Sequence, residues 1–167
     1  ISDELITLIS KEERICNYLD LPVQHANNQI RQQMNRSGSK EDILDTIKKL
    51  RHHIPDIALR TSLIVGFPGE TEKQFTELLE FVKEAQFDRL GAFTYSKEEG
   101  TIAAELPCQI PEERKEERYE RIMELQQKIS RERNQDWVGK EVDVLVEEIQ
   151  SQDPRMMIGR TQRDAVE

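Results

Sequence analysis

Hydrophobic residues form three nearly continuous runs along the chain, of the kind that build buried strands. The longest lies at 57–67 and reads IALRTSLIVGF. Such runs are typical of parallel sheets that are covered on both faces. Shorter runs at 18–25 and 87–96 have the same character. The pattern therefore predicts three strands of one parallel sheet.

Between and after these runs, apolar residues return every three or four positions, which predicts helices. Ser39 and Asp42 form a capping-box pattern before one predicted helix, which Pro55 ends, and Thr71 and Gln74 form a second. Longer helices are predicted at 72–85 and 111–134, and a short one follows the first strand. The apolar stripes are Ile43, Leu44, Ile47, Leu50 and Ile54, then Phe75, Leu78, Leu79 and Val82, then Ile122, Leu125 and Ile129.

The order of these elements predicts an α/β fold built from βαβ units, with parallel strands and right-handed crossovers. Residues 1–138 would form half of an α/β barrel or open sheet. The pattern changes near Gly139, because Val142, Val144 and Val146 alternate with charged neighbours. This alternation predicts a half-buried antiparallel strand, so we expect a second, small β-module to begin at 139 and continue to 167.

Composition narrows the class of protein. The chain has 167 residues, is 36% hydrophobic and 34% charged, and contains no run of about 18 apolar residues, so no membrane span is expected. Its net charge of −9, from 24 Lys and Arg against 33 Asp and Glu, disfavours a broad nucleic-acid surface and suits a basic protein partner. Cys16 and Cys108 have no metal-ligand spacing, and we expect a cytoplasmic protein. Because the chain opens on Ile1 in helical sequence, we expect a segment of a longer protein.

Ligands of parallel α/β folds gather at the carboxyl ends of the strands. Gln24 and His25 follow the first predicted strand, and Tyr95 and Ser96 close the third. At the end of the second strand, Gly66 would allow a ligand close to the backbone, before a Pro-Gly turn. Each feature is also compatible with an ordinary structural role.

Arg60 is the harder residue to explain, because a guanidinium inside a buried run needs an anion or a set of carbonyl groups. A ligand and an internal ion pair satisfy that need equally well. No nucleophile–base pair, carboxylate dyad or metal-ligand cluster is visible in the sequence. From the residues alone, the chain is an α/β ligand-binding segment of undefined chemistry.

Three segments, taken in order, resemble the radical S-adenosylmethionine methylthiotransferases from about Ile15 onward. They read YLDLPVQHANNQIRQQMNR, IALRTSLIVGFPGETEKQF and FDRLGAFTYSKEEGT. One branch of that family modifies an adenosine of tRNA (the MiaB type), and the other an aspartate of a small-subunit ribosomal protein (the RimO type). His25-Ala26, Arg60 and the closing GRTQRDAVE resemble the ribosomal-protein branch, since the tRNA branch usually reads LPVQSGS and STDIIVGFPGET.

The resemblance implies the C-terminal half of a partial TIM-like (β/α)6 barrel and the opening of a TRAM-like module. It also implies S-adenosylmethionine and two 4Fe–4S clusters, with a radical that removes hydrogen from carbon before sulfur is inserted. The family's cluster motif, CxxxCxxC, is absent from this sequence. The cluster cysteines are therefore expected upstream of Ile1, no metal is expected on these residues, and the segment alone should be inactive.

Matching the family's motifs onto this sequence assigns residues to the cofactor. Gln24, with His25 beside it, would reach the ribose, and Ile64 and Gly66 would lie against the adenine. Arg60 would bind the carboxylate of S-adenosylmethionine. The resemblance also implies that two aromatic residues, Phe93 and Tyr95, face the substrate. The implied partner is a small-subunit ribosomal protein, and the sequence identifies no reductant protein.

Two readings from other classes compete with this one. A non-catalytic interaction domain would share the fold and lack the upstream cysteines. A phosphate-binding barrel would need a glycine-rich cradle, for which FPGET is a poor candidate because Glu70 would repel phosphate. In either case an open barrel edge would expose backbone groups, so we expect the segment to self-associate.

Overall fold

Three parallel strands form the central sheet of this computed structural model, which describes residues 1–149 and 155–164. They lie in the order β1, β2, β3. Asp20 of β1, Arg60 of β2 and Arg89 of β3 are opposite one another near the amino end, and Val65 is opposite Thr94 at the carboxyl end. The strands are β1 (Tyr18–Asp20), β2 (Ala58–Val65) and β3 (Arg89–Thr94). The predicted parallel α/β fold is confirmed.

The first strand is shorter than the predicted 18–25. It ends at Asp20, and Gln24 rejoins the sheet through an isolated bridge to Leu63. Pro22 has no N–H to donate to the ladder, which explains why the chain bulges away before it returns. The bulge leaves Gln24 with a φ of 67°, so its side chain is presented by a special backbone conformation.

Five α-helices and one 3-10 turn accompany the sheet within residues 1–149 and 155–164. Both predicted capping boxes are present, at Ser39 with Asp42 and at Thr71 with Gln74. The helices are α1 (Asp3–Lys11), α2 (Asn28–Gln33), α3 (Lys40–His53), α4 (Glu72–Ala85) and α5 (Glu112–Gln135), and the 3-10 turn is Ile102–Glu105. None of them is long and apolar enough to cross a membrane.

The core lies on one face of the sheet. Leu59, Leu63 and Val65 of β2 are fully buried against the helices, whereas Ser62 and Ile64 on the opposite face are partly exposed. The prediction that this strand is buried on both faces is therefore wrong for the described residues, in which helices cover only one side. In a closed barrel the second face would be the interior.

The parallel sheet and its helices, residues 1–135, are called the barrel segment below. Its last helix, α5, leads into an antiparallel hairpin of β4 (Val144–Ile149) and β5 (Met157–Thr161). The antiparallel pairing of the predicted β4 is confirmed, but its predicted half-burial is wrong because all six residues are exposed. No second layer covers the hairpin within the described part of the chain. Residues 150–154 and 165–167, including the end of the GRTQRDAVE motif, lie outside the described residues.

Candidate cofactor site

A cleft of about 360 Å³ opens on the uncovered face of the sheet, at the carboxyl ends of β2 and β3. Four of the seven predicted site residues line it. Its walls combine apolar side chains with an amide and hydroxyl groups, and they include Gln24, Ser62, Ile64, Phe93, Tyr95 and Ser96. This mixture of apolar surface and a few polar groups is typical of small-molecule sites.

Gln24 is held in the cleft by its backbone. Its N–H donates to Ser62 O at 2.9 Å, and its carbonyl accepts from Ile64 N at 2.8 Å. Arg31, which the sequence analysis missed, donates from Nη1 to Val23 O at 2.6 Å and His25 O at 3.1 Å, the carbonyls on either side. Burial lowers the pKa of Arg31, and repulsion from Arg36 adds to that effect. Arg31 thus fixes the turn that presents Gln24.

The glycine loop after β2 is shaped by a tight turn. Glu70 N donates to Phe67 O at 2.9 Å, and Gly69 has a φ of 80° between them. A turn with proline second and a left-handed glycine third is the expected use of a Pro-Gly pair. The predicted turn at Pro68 is therefore confirmed.

Glu70 lies buried beneath this loop and was not predicted to have a structural role. Its carboxylate accepts the N–H of Gly66 and accepts from Arg118 Nη1 at 3.1 Å. His25 is fully buried beside it, with Nε2 at 3.4 Å from Glu70 Oε1. Because Asn27 N donates to His25 Nδ1 at 3.0 Å, the ring proton is on Nε2. The Gly66 N–H that a phosphate cradle would use is already bound, which disfavours the phosphate-barrel reading.

Gly66 is closely approached by Lys115 of α5. Gly66 has a φ of 74°, and an added Cβ would collide with Lys115 Cγ. The Lys115 ammonium donates to Tyr95 O at 2.8 Å and lies 5.3 Å from the centre of the Tyr95 ring. We expected a ligand to need the space at Gly66, and within the described residues the stem of Lys115 fills it.

The structure does not bring Arg60 or His25 into the cleft. Arg60 is the third residue of β2 and forms an ion pair with Asp20, the alternative that the sequence left open. Ile64 lies four residues further along the strand, about 13 Å away at the usual rise. His25 faces Glu70 in the core instead. The cofactor roles assigned to these two residues stay predictions.

The cysteines lie at opposite ends of the sheet. Cys16 precedes β1 at the amino end, whereas Cys108 O accepts from Gly69 N at 2.9 Å at the carboxyl end. Among the residues that the structure describes, no three His, Cys, Asp or Glu side chains converge as metal ligands. These residues therefore do not fit an iron–sulfur cluster.

Comparison with known proteins supports the resemblance seen in the sequence. The sequence model of the radical SAM superfamily matches residues 1–82. The chain is 55% identical over 165 residues to the ribosomal protein uS12 methylthiotransferase RimO of Pelotomaculum thermopropionicum, covering 99% of the chain and 37% of that protein. The corresponding protein of Clostridioides difficile is 53% identical over 167 residues, covering 100% of the chain and 37% of its own length.

The superfamily match gives the class that this chain resembles: residues 1–82 are similar to the radical SAM superfamily, and the parallel α/β sheet is consistent with it. Within it, the chain is similar over its whole length to RimO-type methylthiotransferases, the third example being that of Geobacter sulfurreducens at 50% identity over 99% of the chain. The chain spans about 37% of the length of these relatives.

The cleft fits the nucleoside part of S-adenosylmethionine, the cofactor that this superfamily uses. Ile64 and Phe93 offer apolar surface to a purine, and Gln24 offers an amide to hydroxyl groups. The Tyr95 hydroxyl is buried and has no hydrogen-bond partner within residues 1–149 and 155–164. A buried hydroxyl of this kind calls for a partner such as a ligand or water.

Proposed function

We propose that the chain is part of a methylthiotransferase that adds a methylthio group to an aspartate of ribosomal protein uS12. The main support is sequence identity: the chain is 47–55% identical, over 96–100% of its length, to eight proteins named ribosomal protein uS12 methylthiotransferase RimO. The net charge of −9 is a weaker support, because it suits a basic ribosomal protein.

In this proposal the cleft holds S-adenosylmethionine, which when bound supplies the radical chemistry and the methyl group. Ile64 and Phe93, which are opposite each other on β2 and β3, offer an apolar surface to the adenine. Gln24 binds the ribose, and the Gly66 loop closes one side of the cofactor. Tyr95 forms the floor of the cleft with its buried ring. The residues themselves bind and orient the cofactor and keep water from its buried edge.

The proposal assigns the iron–sulfur clusters to cysteines outside these residues, because Cys16 and Cys108 lie at opposite ends of the sheet. The segment alone would then lack activity. We also propose that residues from 139 onward open a TRAM-like module that contacts the substrate, and that the enzyme works in the cytoplasm.

The open edge of the barrel segment gives a prediction for the isolated chain. Among the described residues β1 pairs only with β2, so no strand lies along its outer edge. We therefore propose that the isolated chain self-associates. Light scattering at rising concentration should show dimers or larger species, and a monomer at every concentration would contradict this.

The function is tested with the protein extended to the length of its relatives and reconstituted anaerobically with iron and sulfide. S-adenosylmethionine and a chemical reductant are added, and uS12 and a tRNA are offered in parallel. Mass spectrometry should find a methylthio group on an aspartate of uS12. A methylthio group on tRNA would reassign the substrate while keeping the chemistry. Modification of neither, without retained iron, would favour a non-catalytic interaction domain.

A further inference from the structure

We propose that Lys115 is a positioning residue that sets the width of the cofactor cleft by tying the ends of β2 and β3 to helix α5. This inference rests on the proposed function, since it concerns the same cleft. Lys115 lies on the helix side of the sheet and does not line the cleft itself. It would act through the backbone of Gly66 and Tyr95.

The first support is where Lys115 makes contact. Gly66 directly follows β2 and Tyr95 directly follows β3, so these residues continue the two strands that form the walls of the cleft. The Lys115 stem packs against Gly66 and its ammonium donates to Tyr95 O at 2.8 Å. One side chain of α5 therefore contacts both strand ends, which the hydrogen bond from Tyr95 N to Val65 O at 2.9 Å joins to each other.

The second support is the burial of the lysine. Its side chain is only 4% exposed, yet its one described carboxylate partner, Glu112 Oε1 at 2.6 Å, belongs to a side chain that is 74% exposed. A buried ammonium is costly without strong partners. If this position only had to fill space against Gly66, an apolar side chain would be sufficient. The carbonyl of Tyr95 needs a hydrogen-bond donor, and the Lys115 ammonium supplies it.

The third support is the uncommon backbone that the lysine stabilises. Gly66 has a φ of 74°, and its N–H is held by the buried Glu70 carboxylate. Arg118, one turn after Lys115 on α5, donates to both Glu70 O and Glu70 Oε2 at 3.1 Å. Two cations of one helix thus hold the loop from below, and Lys115 alone also reaches β3.

The test uses Lys115→Met in the full-length, reconstituted protein, because methionine keeps an apolar stem against Gly66 and removes the ammonium. S-adenosylmethionine binding is measured by equilibrium dialysis without reductant, with iron content determined for each variant. We expect the dissociation constant for S-adenosylmethionine to rise about tenfold. This factor corresponds to the free energy of roughly one hydrogen bond, lost when the cleft is no longer held in its shape. Lys115→Arg, which keeps donors and charge, should stay within about threefold of the wild type.

Two controls separate positioning from general stability. Lys128→Met changes an exposed lysine of the same helix and should leave affinity unchanged. Ile129→Val removes a buried methyl group of α5 and should lower the unfolding midpoint while leaving affinity unchanged. Unchanged affinity in Lys115→Met, or an equal loss in Ile129→Val, would overturn the inference.

A second readout does not depend on cofactor binding. Hydrogen exchange of the peptide that contains Gly66 and Gly69 should become faster in Lys115→Met, because the bond from the Lys115 ammonium to Tyr95 O is lost. If the wild-type protein failed to bind S-adenosylmethionine, the proposed function would be contradicted. Hydrogen exchange of the loop would still test whether Lys115 holds the ends of β2 and β3 in place. Unchanged exchange would overturn the inference whatever the wild-type affinity.

Discussion

Two buried carboxylates hold opposite ends of the parallel sheet, and helix α5 supplies an arginine to each. At the carboxyl end Glu70 accepts from Arg118 at 3.1 Å. At the amino end Asp88 accepts from Arg133 at 3.1 Å. Both carboxylates are buried, with 2% of each residue exposed. The two sites share one helix and one type of ion pair, and they differ in what else they bind.

The remaining partners give the two carboxylates different tasks. Glu70 also binds Gly66 N and faces His25, so it fixes a loop within the barrel segment. Asp88 also accepts from Arg163 at 2.7 Å, just after β5, so it joins the barrel segment to the hairpin. Burial lowers the pKa of Arg163, and the Asp88 charge counteracts this. A buried carboxylate paired with an arginine of α5 thus fixes the loop at Gly66 at one end of the sheet and holds the hairpin of β4 and β5 at the other.

The largest loss of stability is expected at the carboxyl end of the sheet, around Glu70. Arg118→Met leaves Glu70 buried without its cation, and losing one partner of a buried pair typically costs about 3–5 kcal/mol of unfolding free energy. Denaturant unfolding of the full-length protein measures this loss. Arg131→Met, an exposed arginine on the same helix, is the control and should change stability little. A loss no larger than that of the control would mean that water reaches Glu70.

The next effect is expected at Gly66, where alanine meets two penalties. The left-handed backbone costs about 1–2 kcal/mol for an L-residue, and the collision with Lys115 adds roughly 1–2 kcal/mol of overpacking. Gly69→Ala is the matched control, because its φ is 80° but nothing lies within 4 Å of the added Cβ. Thermal unfolding of both variants should show the larger loss at Gly66. Equal losses would remove the steric role of Lys115.

Asp88→Asn tests the amino end of the sheet, where the hairpin is held, and should lower the free energy of unfolding by a smaller amount. Asparagine still offers an oxygen to Leu59 N, which donates to Asp88 Oδ2 at 3.0 Å, but the pairing with Arg133 and Arg163 loses its charge. We expect about 2 kcal/mol, the usual range for hydrogen bonds to a charged group. Hydrogen exchange in peptides of β4 and β5 should become faster. Asp143→Asn, at an exposed residue, is the control, and unchanged exchange would show that the hairpin docks by other contacts.

This comparison also shows how far sequence reasoning reaches. The helix ends at Ser39 and Thr71 were predictable because capping boxes are local patterns. Gln24 was predictable as a cleft residue because parallel strands align their carboxyl ends, whereas Ile64 was assigned only through the family resemblance. Glu70 and Asp88 were not, since each looks like an ordinary surface acid next to a turn. Their burial depends on arginines that are 45 or more positions away in the chain.

Arg60 illustrates the opposite error of expecting a ligand where a neighbour is available. A cation within an apolar run signals an anion, but the sequence does not say which one. Asp20 is directly opposite Arg60 in the sheet register, a pairing between distant parts of the chain that the sequence did not reveal.

The smallest effect is therefore expected for Arg60→Ala. The side chains of Arg60 and Asp20 are 31% and 39% exposed, so solvent screens the pair and its loss should cost less than about 1 kcal/mol. We expect the affinity of the full-length protein for S-adenosylmethionine to change less than about twofold, because the guanidinium already binds a carboxylate. Asp20→Asn is the matched control, since it breaks the pair and leaves Arg60 in place. A tenfold loss of affinity in Arg60→Ala alone would show that Arg60 exchanges Asp20 for the cofactor carboxylate, and would restore the role that the family resemblance implies.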